Sequence, residues 1–126
     1  MQPKILIVDD EMHIRSLLQQ TLEELEDEDD VEIFTASDGA EGLQMIQQEA
    51  PQLVFLDVMM PKMNGFEVCQ KVKKELGMTD TYIIMLTAKG QEFDRQKGED
   101  VGADIYMTKP FDPDSLLQKA REILGL

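Results

Sequence analysis

The chain has one cysteine, one histidine and only 12 basic residues against 26 acidic ones, and none of its apolar runs is longer than five residues. A single cysteine excludes an internal disulfide and suits a reducing compartment. The formal net charge of −14 argues against unaided binding to nucleic acid or to an anionic membrane, both of which repel an acidic surface. Runs this short cannot span a bilayer. The stretch Met1-Gln2-Pro3-Lys4 leads into an apolar segment that ends on two aspartates, which is no signal peptide. A soluble, cytoplasmic protein without membrane attachment is therefore expected. No linker, low-complexity stretch or internal repeat interrupts the 126 residues, so the expectation is one domain, 1–126, large enough for a core without disulfide or metal staples.

What is present is a repeated pattern. Ile5-Leu6-Ile7-Val8 stops on Asp9-Asp10, Leu53-Val54-Phe55-Leu56 on Asp57, Tyr82 to Leu86 on Thr87, and Ile105 to Thr108 on Lys109. Short uninterrupted runs rich in Ile and Val suit strands of a parallel sheet covered on both faces. Ligands of open α/β sheets bind outside the carboxyl ends of the strands, so these residues should meet at one edge. Val31 to Thr35 is less uniformly apolar and reads as an edge strand.

Between the strands the period changes to that of helices. Ile14, Leu17, Leu18, Leu22 and Leu25 predict an amphipathic helix over about 12–26. Seven acids between Glu23 and Asp30 follow, read as a solvated helix end rather than a calcium loop, which needs regular ligand alternation and a glycine. Asp38 with Glu41 forms a capping-box pattern that opens a second helix ending before Pro51. Phe66, Cys69, Val72 and Leu76 mark a third. From Gly90 to Gly102 only Phe93 and Val101 are clearly apolar, so a fourth helix would be weakly anchored. Asp112 as cap and Pro113 in the first turn open a fifth. The fold expected is α/β: a doubly wound, five-stranded parallel sheet in a flavodoxin-like three-layer sandwich, strand order 2-1-3-4-5.

Asp9, Asp10 and Asp57 in one cleft would bring three negative charges together, one of them offset by Lys109. Repulsion should raise at least one carboxylate pKa unless a cation enters. With oxygen donors alone at the strand ends, the expected ion is magnesium, or manganese. Converting Asp57 to an acyl phosphate would add about one negative charge, which Lys109, the Thr87 hydroxyl and nearby backbone N–H groups could absorb. No pocket for an organic substrate is evident.

Asp9-Asp10, Asp57 followed by Met60-Pro61 and Asn64-Gly65, Leu86-Thr87-Ala88, Gly102-Ala103-Asp104 and Lys109-Pro110-Phe111 together resemble the receiver domain of two-component response regulators, over essentially the whole chain. The resemblance implies that Asp57 is the phospho-acceptor. It also implies that Asp10 ligates the metal directly, Asp9 acts on it largely through water, and the Met59 backbone carbonyl completes the protein ligands. Thr87 and Lys109 would be the switch hydroxyl and the lysine of that family, and Tyr106 the aromatic that turns inward when Thr87 moves onto the phosphoryl group. Lys109-Pro110 would be a cis peptide. The implied partners are a histidine kinase or phosphotransfer protein as donor and a downstream protein recognised through the fourth helix, fifth strand and fifth helix. Two positions depart from the usual pattern: Met59, two after the acceptor, and Lys89, two after Thr87, stand where side chains flank the attacking water, and a bulky Met59 implies altered, slower dephosphorylation. Ile105 replaces the second acid seen after Gly-Ala-Asp in receivers of winged-helix transcription factors, which weakens any expectation of their salt-bridged homodimer and leaves a monomer or a weak, phosphorylation-dependent dimer.

The function expected is thus a phosphorylation-controlled binding switch rather than a metabolic enzyme, though one able to promote its own phosphorylation and dephosphorylation. A phosphorelay intermediate, or the receiver of a longer DNA-binding regulator, is the alternative. A haloacid-dehalogenase-like phosphatase would place a second Asp where Met59 stands, and a flavin carrier would need phosphate-binding amides where Asp9-Asp10-Glu11 would repel a phosphate. His13 reads as an exposed side chain and Cys69 as a core residue.

Overall fold

In the computed structural model, which describes residues 2–88 and 94–126, the strands are β1 (Lys4–Val8), β2 (Glu32–Ala36), β3 (Leu53–Asp57), β4 (Tyr82–Ala88) and β5 (Ile105–Lys109). They form one parallel sheet in the order β2-β1-β3-β4-β5. The helices are α1 (Met12–Asp29), α2 (Gly39–Glu49), α3 (Gly65–Gln70), α4 (Asp94–Val101) and α5 (Pro113–Leu124), with a π-helical turn, Lys71–Glu75, continuing α3. This is the doubly wound α/β architecture expected.

Alternation along each strand sends successive side chains to opposite faces, and the apolar runs supply a core on both. Ile5, Ile7, Leu53, Phe55, Ile84 and Leu86 pack with Leu18, Leu22 and Leu25 of α1 and Leu116 and Ala120 of α5. Leu6, Val8, Val54, Leu56, Ile83 and Met85 pack with Ile46 of α2, Val68 and Cys69 of α3, and Val101 of α4. Both faces being covered explains why the runs are continuously apolar.

Several local features differ from expectation. Helix α1 extends to Asp29, and its acidic end is not simply solvated: Arg121 of α5 pairs with Glu24, Glu28 and Asp29. The edge strand β2 begins one residue late, with Val31 buried ahead of it. Asp38 accepts from the Glu41 backbone N–H at 2.8 Å, but Glu41 takes the Ser37 hydroxyl instead of closing the box. Asp112 occupies the cap position of α5, yet its carboxylate binds the Ser115 hydroxyl rather than a backbone N–H. Leu76 leaves the apolar stripe and is exposed, because the π turn, closed by the Leu76 N–H on the Lys71 carbonyl, widens the helical spacing. Helix α4 is held to α3 by buried Val101 and by Lys97, whose Nζ lies 5.0 Å from the centroid of the Phe66 ring. Phe93 and Lys89 lie outside the described residues.

Gly65 shows how tightly α3 is set against the acceptor strand. A Cβ there would run into the backbone carbonyl of Asp57 and touch the Val58 Cα, and neither can yield without moving β3. Gly65→Ala is expected to lower unfolding free energy by about 2–3 kcal/mol. Urea denaturation with an unchanged midpoint would contradict that close approach.

Candidate functional site

The site is built where four strands stop together. Val8 pairs with Leu56 across β1 and β3, so Asp9 and Asp57, the next residues of each, lie level. Asp57 pairs with Leu86, which brings Thr87 one step further out on β4, and Thr87 pairs with Thr108, just before Lys109. Asp9, Asp57 and Thr87 are buried, whereas Asp10, beyond the strand end, is exposed.

Lys109 binds two of the carboxylates at once. Its Nζ lies 3.0 Å from Asp9 Oδ2 and 3.2 Å from Asp57 Oδ1, with Glu11 Oε1 at 4.0 Å. Asp9 has a second task, accepting the Glu11 backbone N–H on Oδ1 at 2.9 Å. The turn is further fixed by Arg15, whose guanidinium donates to the Asp9 backbone carbonyl. Asp57, which is 5% exposed, has its pKa pushed up to about 7. Burial is the largest cause and the charge of Asp9 the next, with Asp10 adding to them and Lys109 opposing. Carboxylate repulsion is therefore present as expected, but second to loss of solvent. Burial works against the Lys109 ammonium too, yet the hydrogen bond to Asp9 and the charges of Asp57 and Asp9 outweigh it and hold its pKa above the usual lysine value.

Carboxylate oxygens of Asp9, Asp10 and Asp57 lie within 4.8 Å of one another. A donor set of oxygens alone, with one carboxylate open to solvent, fits a hard divalent cation that keeps some of its waters. Met59 sits on the loop after β3 and is 64% exposed. Tyr106 is half-buried against the α2-α3-α4 side of the core, and the Lys109-Pro110 peptide is cis. His13 is exposed beside Glu11. Cys69 is fully buried, its thiol donating to the Val101 carbonyl, and burial pushes its pKa up to about 12, so it is an unreactive core residue.

Four supporting residues have roles beyond those expected from the sequence. Asn64 and Glu67 close a complete capping box at the start of α3, and the Gly65 N–H binds the Val58 carbonyl, so the loop after Asp57 is held at both ends. The Asn-x-x-Glu spacing was a usable signal for this cap. Lys73, nearly buried, donates to the Thr79 and Thr81 carbonyls and pairs with Asp104 at 3.0 Å, while Asp104 also accepts the Ile83 N–H. Nothing in the local sequence announces that contact, which joins the α3 side of the sheet to the start of β5. Among the described residues no buried side-chain polar atom lacks a hydrogen-bond partner, and no helix is long and apolar enough to cross a membrane.

A parallel sandwich that gathers a buried carboxylate, two further acids and a lysine at its carboxyl edge is a domain equipped to hold a cation and an added anionic group. The chain belongs to the response regulator receiver domain family, whose pattern it matches over residues 5–121. It is 46% identical over 124 residues to the alkaline phosphatase synthesis transcriptional regulatory protein PhoP of Bacillus subtilis, an alignment covering 98% of this chain and 49% of that protein. The chain thus spans about half the length of the curated relatives it matches. Its structure superposes on a putative response regulator from Chloroflexus aurantiacus with a TM-score of 0.86 at 30% identity, covering all of both chains. Chemotaxis protein CheY4 of Vibrio cholerae gives a TM-score of 0.84 at 34% identity, over 98% of this chain and 99% of that one. The chain is therefore a signalling domain of two-component systems, in which response regulators interact with histidine kinases and downstream effectors.

Proposed function

We propose that Asp57 accepts a phosphoryl group from a histidine kinase or phosphotransfer protein, and that the resulting acyl phosphate alters partner binding through the α4-β5-α5 face. The observation that carries this reading is the Asp57 carboxylate, buried yet within 3.2 Å of Lys109 Nζ and beside two further carboxylates at the strand edge. An Asp57 oxygen attacks the phosphorus in line, the bond from phosphorus to the donor nitrogen breaks, and the donor imidazole leaves. Lys109 balances the charge that accumulates, and the Thr87 hydroxyl donates to a phosphoryl oxygen. Asp9, Asp10, Asp57 and the Met59 backbone carbonyl would hold magnesium or manganese, which when bound supplies neutralisation of the phosphoryl charge.

Relocation of Thr87 toward the phosphoryl group would free space for the half-buried Tyr106 ring. Tyr106 lines a cavity of about 270 Å³ with Glu99, Ala103, Asp104 and Ile105, between α4 and β5. A two-state shift there would change affinity for a partner by differential binding to the two states. The similarity to proteins described as transcriptional regulators favours one particular output: this domain acting as the receiver of a longer DNA-binding regulator, with residues 1–126 folding as its unit.

Intact mass after treatment with acetyl phosphate tests the acceptor. One phosphoryl mass should be gained with magnesium and lost when the cation is chelated. Asp57→Asn should take none, since an amide is no nucleophile toward phosphorus. Labelling of Asp57→Asn at the wild-type level would overturn the assignment.

A further inference from the structure

Of the methionines described, only Met12 and Met59 are exposed, at 71% and 64%, while Met85 is fully buried and the others are half-buried. Both exposed thioethers stand two residues beyond an aspartate of the acidic cluster, Met12 after Asp10 and Met59 after Asp57. Exposed methionine sulfur is oxidised to the sulfoxide readily and reversibly, and the change converts an apolar, flexible group into a polar one. The two most exposed methionines among the described residues therefore each follow closely in the chain on an aspartate of the acidic cluster. Cys69, the other sulfur group, is buried and has a raised pKa, so it does not compete for oxidant.

We propose that Met59 is a site of reversible oxidation by peroxides, and that its sulfoxide shortens the lifetime of the phosphorylated protein. In the oxidation by hydrogen peroxide the Met59 sulfur gives an electron pair to one peroxide oxygen, an S–O bond forms and the O–O bond breaks, and the proton of the transferred oxygen passes to the second oxygen, which leaves as water. The consequence rests on the reading of Asp57 as acceptor. Hydrolysis of the acyl phosphate needs a water whose oxygen attacks phosphorus while the bond to the Asp57 oxygen breaks; the carboxylate leaves and the water's proton ends on inorganic phosphate. The Met59 thioether, exposed on the loop two residues beyond Asp57, offers that water almost no acceptor. A sulfoxide oxygen is a strong one and holds the water against the pocket. Met12 is equally exposed but follows β1 rather than the acceptor strand, and serves as the internal control.

The test treats the full chain with hydrogen peroxide, maps sulfoxides by peptide mass, labels with acetyl phosphate and magnesium, removes the donor and follows decay of the phosphoryl mass. Oxygen should appear on Met12 and Met59 well before Met85. The half-life should fall about fivefold, the rate equivalent of one gained hydrogen bond, in wild type and in Met12→Leu. It should return to its starting value after methionine sulfoxide reductase. Met59→Leu should keep its own untreated half-life after peroxide. An unchanged half-life in protein oxidised at Met59, a loss that persists in Met59→Leu, or oxidation of Met85 as fast as Met59 would each overturn the proposal. If untreated protein takes no label at all, the acceptor assignment fails and the lifetime effect with it, an outcome distinct from labelling followed by peroxide-insensitive decay.

Discussion

Without a divalent cation the protein will lose roughly 2–4 kcal/mol of stability between about pH 4 and pH 8. The cause is Asp57. Its carboxyl has an ordinary value of 3.8 and is pushed up to about 7 in the fold, first by burial and then by the charge of Asp9. Between those two values the folded chain holds a proton that the unfolded chain has released. Unfolding is then accompanied by proton loss, and stability falls as pH rises through the window. The stabilising contribution is complete below about 4 and gone above about 8. Lys109 works in the same direction, but its raised pKa places that loss in the strongly alkaline range. Added magnesium should restore stability at pH 8 and do little at pH 5, where the proton competes with it. In Asp57→Asn the slope between pH 4 and 8 should largely disappear and the Tm at pH 8 should rise. Urea unfolding at a series of pH values in chelator measures all of this. A flat profile for the wild type would refute the buried, repelled state of Asp57.

Lys109→Ala should lower stability by about 3 kcal/mol at pH 8 in chelator, because breaking a largely buried ion pair leaves the remaining charges uncompensated. The lysine is within 3.0 and 3.2 Å of two carboxylates and its side chain is 17% exposed. At pH 5 the cost should be much smaller, since Asp57 is then protonated. Pairing the substitution with Asp57→Asn should recover part of the loss, and the double-mutant cycle isolates the coupling. The same change removes the ammonium that would receive a phosphoryl oxygen. Phosphorylated Lys109→Ala should therefore fail to reach the altered state of the α4-β5-α5 face, read as loss of the phosphorylation-induced change in Tyr106 fluorescence. Equal stability of wild type and Lys109→Ala at both pH values would show that the contact carries no energy.

The strands and most of the site were legible because both depend on short-range regularities. A run such as Leu53 to Leu56 is apolar at every position, which suits a strand buried on two faces and little else of that length. Asp9, Asp57 and Lys109 could be placed together once the strands were parallel, since all their carboxyl ends then lie on one edge. What could not be read is decided mostly by contacts between residues far apart in the chain. The acids ending α1 looked solvated until Arg121, 92 residues beyond Asp29, packed alongside them. Lys73 and Asp104 carry no local mark of their pairing. Leu76 obeyed helical spacing, but a π turn took it out of register.

By itself the amino-acid sequence determined the alternation of strand and helix, the identity of the residues at each strand end and the excess of negative charge, since each is a property of local order or of a sum over residues. The tertiary structure alone decided that Asp57 carries a raised pKa, and that Met12 and Met59 are the exposed ones among the described methionines. Desolvation and charge repulsion depend on distance and on the solvent excluded by neighbours from other segments, and neither quantity exists until the sheet has closed and its two faces are covered.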